Sequence, residues 1–136
     1  MRRPRGIRNN NPGNIRKSNI KWQGLALEQT DVAFYQFSRP EYGIRALCRV
    51  LRTYQRKYGL NDVRSIINRF APPVENDTDS YVYAVAKALG VSSNITINLE
   101  DRETMIKLLK AIIKHENGQQ PYDDKVIIRG IELEEA

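Results

Sequence analysis

Glu116 is the residue of this sequence best suited to acid–base chemistry, because it shares the buried face of a helical pattern. At about 100° per residue, its position falls within the arc of the apolar side chains that precede it. These side chains are Met105, Leu109, Ile112 and Ile113. The pair Asn117-Gly118 predicts that the helix ends directly afterwards. A carboxyl group partly removed from water suits a general acid near neutral pH. The alternative is a frayed last turn with the carboxylate in water.

Other common catalytic or cofactor sites have few residues to draw on in this chain of 136 residues. Because His115 and Cys48 are the only histidine and cysteine, neither a Cys/His metal site nor a Cys–His nucleophile is predicted. No phosphate-binding or dinucleotide-binding motif occurs, so we expect no cofactor and no metal. The net charge of +6 instead indicates an anionic partner, which could be nucleic acid, anionic lipid or an acidic wall polymer.

A dense turn signal at residues 9–14, here named the asparagine turn, is the second feature with chemical potential. Its side chains, including Asn11 and Asn14, offer both donors and acceptors of hydrogen bonds. The turn is either a plain loop or a rigid polar platform beside a cleft, suited to a sugar rich in hydroxyl and amide groups. Trp22 has two similar interpretations, as a core residue or as a surface on which a sugar stacks.

The elements that must position these residues are mostly helices. Residues 15–24 and 32–37 predict a small β-hairpin. Helices are predicted over residues 38–58, 63–70, 80–89, 100–116 and 125–131. The chain is therefore expected to be one domain spanning residues 1–136, mostly α with a small β-hairpin, and flexible at residues 1–8 and 132–136.

Four arginines line one side of the helix predicted at residues 38–58, and we name them the arginine row. They are Arg45, Arg49, Arg52 and Arg56. Such a row is either a solvated face or a surface that holds phosphates. In the second case the protein would be a basic nucleic-acid-binding protein, although acidic segments accompany the row and no DNA-reading motif is recognisable.

Five short segments carry a resemblance to known enzymes. Residues 11–16, 22–24 and 34–41 resemble the middle of glucosaminidase-type peptidoglycan hydrolases of the lysozyme-like superfamily. Residues 71–76 and 79–82 resemble the late segment of lytic transglycosylases. The catalytic glutamate of those enzymes comes first, in a motif similar to the sequence that surrounds Glu116 near the end of this chain. The resemblance therefore implies an α+β, lysozyme-like fold in circularly permuted order.

The resemblance implies that Glu116 is the general acid of a glycosidase acting on peptidoglycan. It would cleave between N-acetylmuramic acid and N-acetylglucosamine, with Asn14, Tyr81 and Tyr122 holding the substrate. A lytic transglycosylase would then close a 1,6-anhydro ring, whereas a muramidase needs a second carboxylate. Candidates for that carboxylate are Glu28, Asp31 and Glu75. The sequence does not distinguish the transglycosylase reaction from the muramidase reaction.

The whole chain is similar to small phage endolysins and virion-associated wall hydrolases, which sets its expected location. No apolar run reaches membrane-spanning length, and no secretory signal is recognisable. We therefore expect synthesis in the host cytoplasm, with a holin or a virion bringing the protein to the periplasm and cell wall. Peptidoglycan is the expected partner, nucleic acid is not, and the positive charge would add weak attraction to the anionic envelope. The remaining alternative is a non-catalytic phage structural protein.

Overall fold

Six helices make up the regular secondary structure of the computed structural model, which describes residues 2–136. They are α1 (Arg5–Arg8), α2 (Pro40–Tyr58), α3 (Val63–Phe70), α4 (Thr78–Leu89), α5 (Arg102–Asn117) and α6 (Asp124–Glu135). The most extensive packing joins α2 to α6, and α4 packs against both α5 and α3. None of the helices formed by residues 2–136 has the length and hydrophobicity needed to cross a membrane.

The predicted helices over residues 38–58, 63–70, 80–89 and 100–116 are confirmed as α2 to α5, with small shifts at their ends. Local signals explain this agreement. An aspartate side chain accepts a hydrogen bond from a first-turn backbone N–H at the starts of α3, α4, α5 and α6. Glycines in the left-handed conformation end α2, α4 and α5.

The main core is a single cluster to which α2, α3, α4, α5 and α6 all contribute almost fully buried apolar side chains. It includes Ile44 and Leu47 of α2 and Leu108 and Ile112 of α5. Helix α6 approaches α2 closely at Gly130, where an added Cβ would lie 2.5 Å from Cγ2 of Ile44. A smaller cluster of Tyr35, Phe37 and Ala46 anchors the long loop that precedes α2.

The predicted β-hairpin over residues 15–24 and 32–37 is wrong. This part of the described chain contains two isolated bridges, which join Arg16 to Phe34 and Leu25 to Phe37, and no sheet. The prediction of an α+β, lysozyme-like fold in permuted order is overturned with it, since the protein is a predominantly helical small domain.

Side-chain hydrogen bonds replace the strand pairing that the hairpin would have needed. The Asp31 carboxylate accepts hydrogen bonds from the backbone N–H groups of Ala33 and Phe34. The Tyr35 hydroxyl donates to the carbonyl oxygen of Ile20 at 2.6 Å. Polar side chains that satisfy nearby backbone groups compete with a regular ladder, so the segment folds as an ordered loop.

The arginine row contacts carboxylates within the fold. The Arg52 side chain is fully buried, and its Nη1 lies 2.5 Å from Oε1 of Glu134. Arg49 Nε lies 2.8 Å from the other oxygen of Glu134, and Arg56 Nε lies 2.7 Å from Glu100. Three of the four guanidinium groups are therefore paired with carboxylates of the same chain.

Helical structure extends into both segments for which flexibility is predicted, residues 1–8 and 132–136. Residues 5–8 form α1, and residues 132–135 continue α6 to Glu135. Glu134 is only 4% exposed, because the arginine row surrounds its carboxylate. Met1 lies outside the described residues.

Candidate functional site

The Glu116 carboxyl group lies at the C-terminal end of α5 and has a defined partner on each oxygen. The Asn14 Nδ2 donates a hydrogen bond to Oε1 at 2.9 Å. The Tyr81 hydroxyl donates to Oε2 at 2.8 Å. Glu116 is half-buried. Its carboxyl group is therefore held between the asparagine turn and α4, and does not extend into bulk water.

The asparagine turn is rigid enough to fix the amide of Asn14. Buried Asn11 donates hydrogen bonds to the carbonyl oxygens of Ile15 and Tyr35 and accepts one from the Ile15 N–H. Asn14 itself has a φ of 50°, in the left-handed region that asparagine tolerates better than most residues. Asn11 is thus a scaffold residue of the turn, whereas Asn14 reaches Glu116.

Asn117 and Gly6 tie the same turn to the end of α5. The Asn117 Nδ2 donates to the carbonyl oxygen of Pro12 at 2.9 Å. A Cβ added at Gly6 would lie 2.5 Å from Oδ1 of Asn117 and 2.8 Å from Oδ1 of Asn14. Helix α1 can therefore lie this close to the two amides only because Gly6 has no side chain.

Tyr81 is held by burial and by stacking. It is 2% exposed, and its ring stacks on that of exposed His115 with centroids 3.8 Å apart. Burial, together with the neighbouring Glu116 carboxylate, raises the pKa of Tyr81 well above its ordinary value. The hydroxyl therefore keeps its proton and remains a neutral donor.

Glu116 stands where two pockets meet. The larger has a volume of about 560 Å³ and is lined by Asn14, Arg16 and Glu75, among other residues. The smaller, of about 370 Å³, lies on the side of Tyr81 and His115. Glu116 and Asn76 line both. A chain-like ligand that crosses from one pocket to the other would pass the carboxyl group.

Of the three predicted second carboxylates, only Glu75 lines a pocket with Glu116. Glu28 is exposed and lies outside both pockets. Asp31 has a structural role, because Arg5 donates to both of its oxygens at 2.7 and 2.6 Å and Asn9 adds a third bond. These bonds, with that from Arg5 the strongest, hold the pKa of Asp31 far below its ordinary value.

Two predicted substrate-binding residues lie elsewhere. Trp22 packs against the cluster of Tyr35 and Phe37, as a core residue does. Tyr122 packs against the main core, where burial raises its pKa to about 12, and it lines neither pocket.

The structure adds residues that sequence reasoning did not select, chiefly Asn76 and Arg16 in the pockets and Gly6 behind them. Arg16 and Asn76 lie within two of the motifs that resemble wall hydrolases, but nothing in the local sequence distinguishes them from their neighbours. They line the same pocket although 60 positions separate them along the chain, so only the folded structure shows that they lie together.

The arrangement can move a proton. Both partners of Glu116 are neutral, and the Tyr81 hydroxyl oxygen can accept a hydrogen bond when the carboxyl group is protonated. The site therefore accommodates Glu116 in either protonation state, as a group that serves first as acid and then as base requires. Within residues 2–136, no cluster of three or more His, Cys, Asp or Glu side chains is arranged to hold a metal ion.

Comparison with known proteins relates the chain to a phage protein. Over 131 residues the chain is 42% identical to Protein P5 of Pseudoalteromonas phage PM2, and the match covers 94% of this chain and 80% of that protein. No family model matches the chain.

Proposed function

The chain belongs to the family of Protein P5 of Pseudoalteromonas phage PM2, and we propose that it cleaves the glycan strand of peptidoglycan between N-acetylmuramic acid and N-acetylglucosamine. The observation that carries this proposal is the Glu116 carboxyl group, held by Asn14 and Tyr81 at the junction of two pockets. The short motifs that resemble wall hydrolases support it. The relative is a phage protein, and we propose that this chain acts in phage lysis or entry.

In the first step, protonated Glu116 donates its proton to the glycosidic oxygen. The bond from that oxygen to C1 of N-acetylmuramic acid breaks, and the transition state has oxocarbenium-ion character. The leaving sugar keeps the oxygen as a hydroxyl group. Asn14 and Tyr81 then stabilise the carboxylate that remains on Glu116.

In the second step, the Glu116 carboxylate accepts a proton from the group that attacks C1. If that group is the 6-hydroxyl of the same muramic acid, the product has a 1,6-anhydro ring and the enzyme is a lytic transglycosylase. If it is water, the product has a reducing end, and Glu75 is the carboxylate available in the cleft to assist.

The net charge of +6 fits an anionic wall as substrate, since opposite charge raises the rate of encounter. We propose that the protein is made in the host cytoplasm and reaches the cell wall through a holin or as part of the virion. Purified protein should clear Gram-negative cells stripped of their outer membrane and release soluble fragments from purified sacculi. Absence of both over a broad range of salt and pH would leave the non-catalytic structural role.

We expect Tyr81→Phe to lower kcat by roughly tenfold or more without loss of fold. The substitution removes one hydroxyl that bonds to a charged form of Glu116, and such bonds contribute about 1.5–3 kcal/mol. The matched control is Tyr83→Phe on the same helix, whose ring is 69% exposed and does not line the pockets at Glu116. Equal rates for the two variants would remove Tyr81 from the mechanism.

A further inference from the structure

Arg16 lines the larger pocket but has no role in the reaction proposed for Glu116. It follows Asn14 by two residues, and both line this pocket. Among the described residues that line it, Arg16 supplies the only cationic side chain. Its backbone is fixed by the bridge to Phe34, and its guanidinium carbon lies 5.2 Å from the centre of the Phe34 ring.

The guanidinium group of Arg16 is only loosely engaged. Its contact with the Glu75 carboxylate is 3.7 Å long, and the two side chains are 65% and 60% exposed. Such an exposed ion pair contributes little to stability and exchanges readily. Arg5, which also lies over the Phe34 ring, donates through Nε and Nη2 to the two oxygens of Asp31 and does not line the pocket. Of these two arginines, Arg16 is therefore the one placed to bind a ligand in the pocket.

We propose that Arg16 binds a carboxylate carried by the muramic acid side of the substrate, and so selects acidic glycan strands over neutral ones. This inference rests on the proposed function. A guanidinium group presents paired N–H donors that match the two oxygens of a carboxylate. The ring of Phe34 holds that planar group in place, so less conformational freedom is lost on binding.

Two substrate carboxylates have this chemistry. One is the carboxylate of the lactyl ether on muramic acid, which is free where the stem peptide is missing. The other lies on the stem peptide. N-acetylglucosamine oligomers have the same acetamido groups and linkage but carry neither carboxylate. Arg16 should therefore contribute to binding of strands that contain muramic acid and should not affect the neutral oligomers.

The test measures binding to the Glu116→Gln protein, in which ligands are not cut. The three ligands are strand fragments with stem peptides, the same fragments after enzymatic removal of the stems, and N-acetylglucosamine oligomers of equal length. Arg16→Gln is added to this background, and Lys17→Gln is the matched control, since Lys17 is an exposed neighbour that does not line the pocket. Circular dichroism checks that each variant is folded.

Arg16→Gln is expected to weaken binding of at least one of the two acidic ligands by about tenfold or more, because it removes a charge-assisted hydrogen bond. A loss confined to stem-free fragments assigns the contact to the lactyl carboxylate, a loss confined to stem-bearing fragments assigns it to the peptide carboxylate, and a loss with both shows that the guanidinium group accepts either. Binding of the neutral oligomers should not change. Higher salt should reduce the difference between the two proteins.

Unchanged affinity for both acidic ligands in Arg16→Gln, or an equal loss in Lys17→Gln, would overturn the role of Arg16. Equal affinity of the parent protein for acidic and neutral ligands would also overturn it. Each of these results can occur while the wild-type protein still cleaves sacculi, which separates them from failure of the proposed function. Absence of cleavage by the wild-type chain overturns both proposals.

Discussion

Glu116→Gln is expected to reduce release of soluble fragments from peptidoglycan by about 100- to 10,000-fold, the usual contribution of a general acid. Glutamine has nearly the same shape but cannot transfer a proton to the glycosidic oxygen. It can still accept a hydrogen bond from Asn14 and donate one to the Tyr81 hydroxyl oxygen, so the two contacts of the site survive. The variant should therefore keep the wild-type circular dichroism spectrum and melting temperature.

Glu103→Gln is the matched control for that experiment. Glu103 lies on the same helix, is 79% exposed and makes only a 3.8 Å contact with Lys107. The same change of charge at that position should leave the rate close to wild type. If Glu116→Gln and Glu103→Gln degrade sacculi equally well, the proton donor is not at position 116.

Glu134→Ala is expected to destabilise the protein by about 3–5 kcal/mol, because it leaves the charge of Arg52 buried without its main partner. In this variant Arg52 still donates hydrogen bonds to the Leu99 carbonyl oxygen and to Glu135, each at 3.1 Å. Because these partners offset part of the cost of the buried charge, the loss of stability can be as small as the lower end of this range. Denaturant unfolding measures the loss directly. The control is Glu132→Ala. Glu132 is exposed, and its ion pair with Arg129 is long at 3.8 Å. Such a contact is expected to contribute less than about 1 kcal/mol to stability.

The same ion pair should make stability depend on pH. Burial alone would raise the pKa of Glu134, but the hydrogen bonds from Arg52 and Arg49 outweigh it and hold the pKa below its ordinary value. A carboxyl group with a lowered folded-state pKa stabilises the protein above its unfolded-state pKa, and that stability is lost as the pH falls through the folded-state value. Wild-type stability should therefore fall more steeply than that of Glu134→Gln on acidification below about pH 4.5. Parallel pH profiles would contradict this assignment.

The helices could be predicted because their signals are local. The aspartate caps of α3, α4 and α5 and the terminal glycines of α4 and α5 lie within a few residues of the helices that they limit. The inward direction of Glu116 also followed from the 3.6-residue period. Its contacts did not, because Asn14 is 102 residues away along the chain and Tyr81 is 35 residues away.

The loop over residues 15–37 and the partner of Glu134 could not be predicted for a related reason. Residues 15–37 have strand-forming side chains, yet Asp31 and Tyr35 use hydrogen bonds to stabilise a loop. The acidic end of the chain has the composition of a solvated tail, but Glu134 pairs with Arg52, which lies 82 residues earlier. The sequence gives the number and order of the charged residues, but it does not show which of them form ion pairs in the folded protein.

Mass spectrometry of the fragments that the wild-type protein releases from purified peptidoglycan tests directly whether Glu116 acts as the proton donor of a glycosidase. We expect every new end to lie between N-acetylmuramic acid and N-acetylglucosamine, with the muramic acid in 1,6-anhydro form for a transglycosylase or as a reducing end for a muramidase. Glu116→Gln should release at least about 100-fold less of either product. Cleavage of peptide or amide bonds, or intact glycan strands after prolonged incubation with folded wild-type protein, would contradict this role of Glu116.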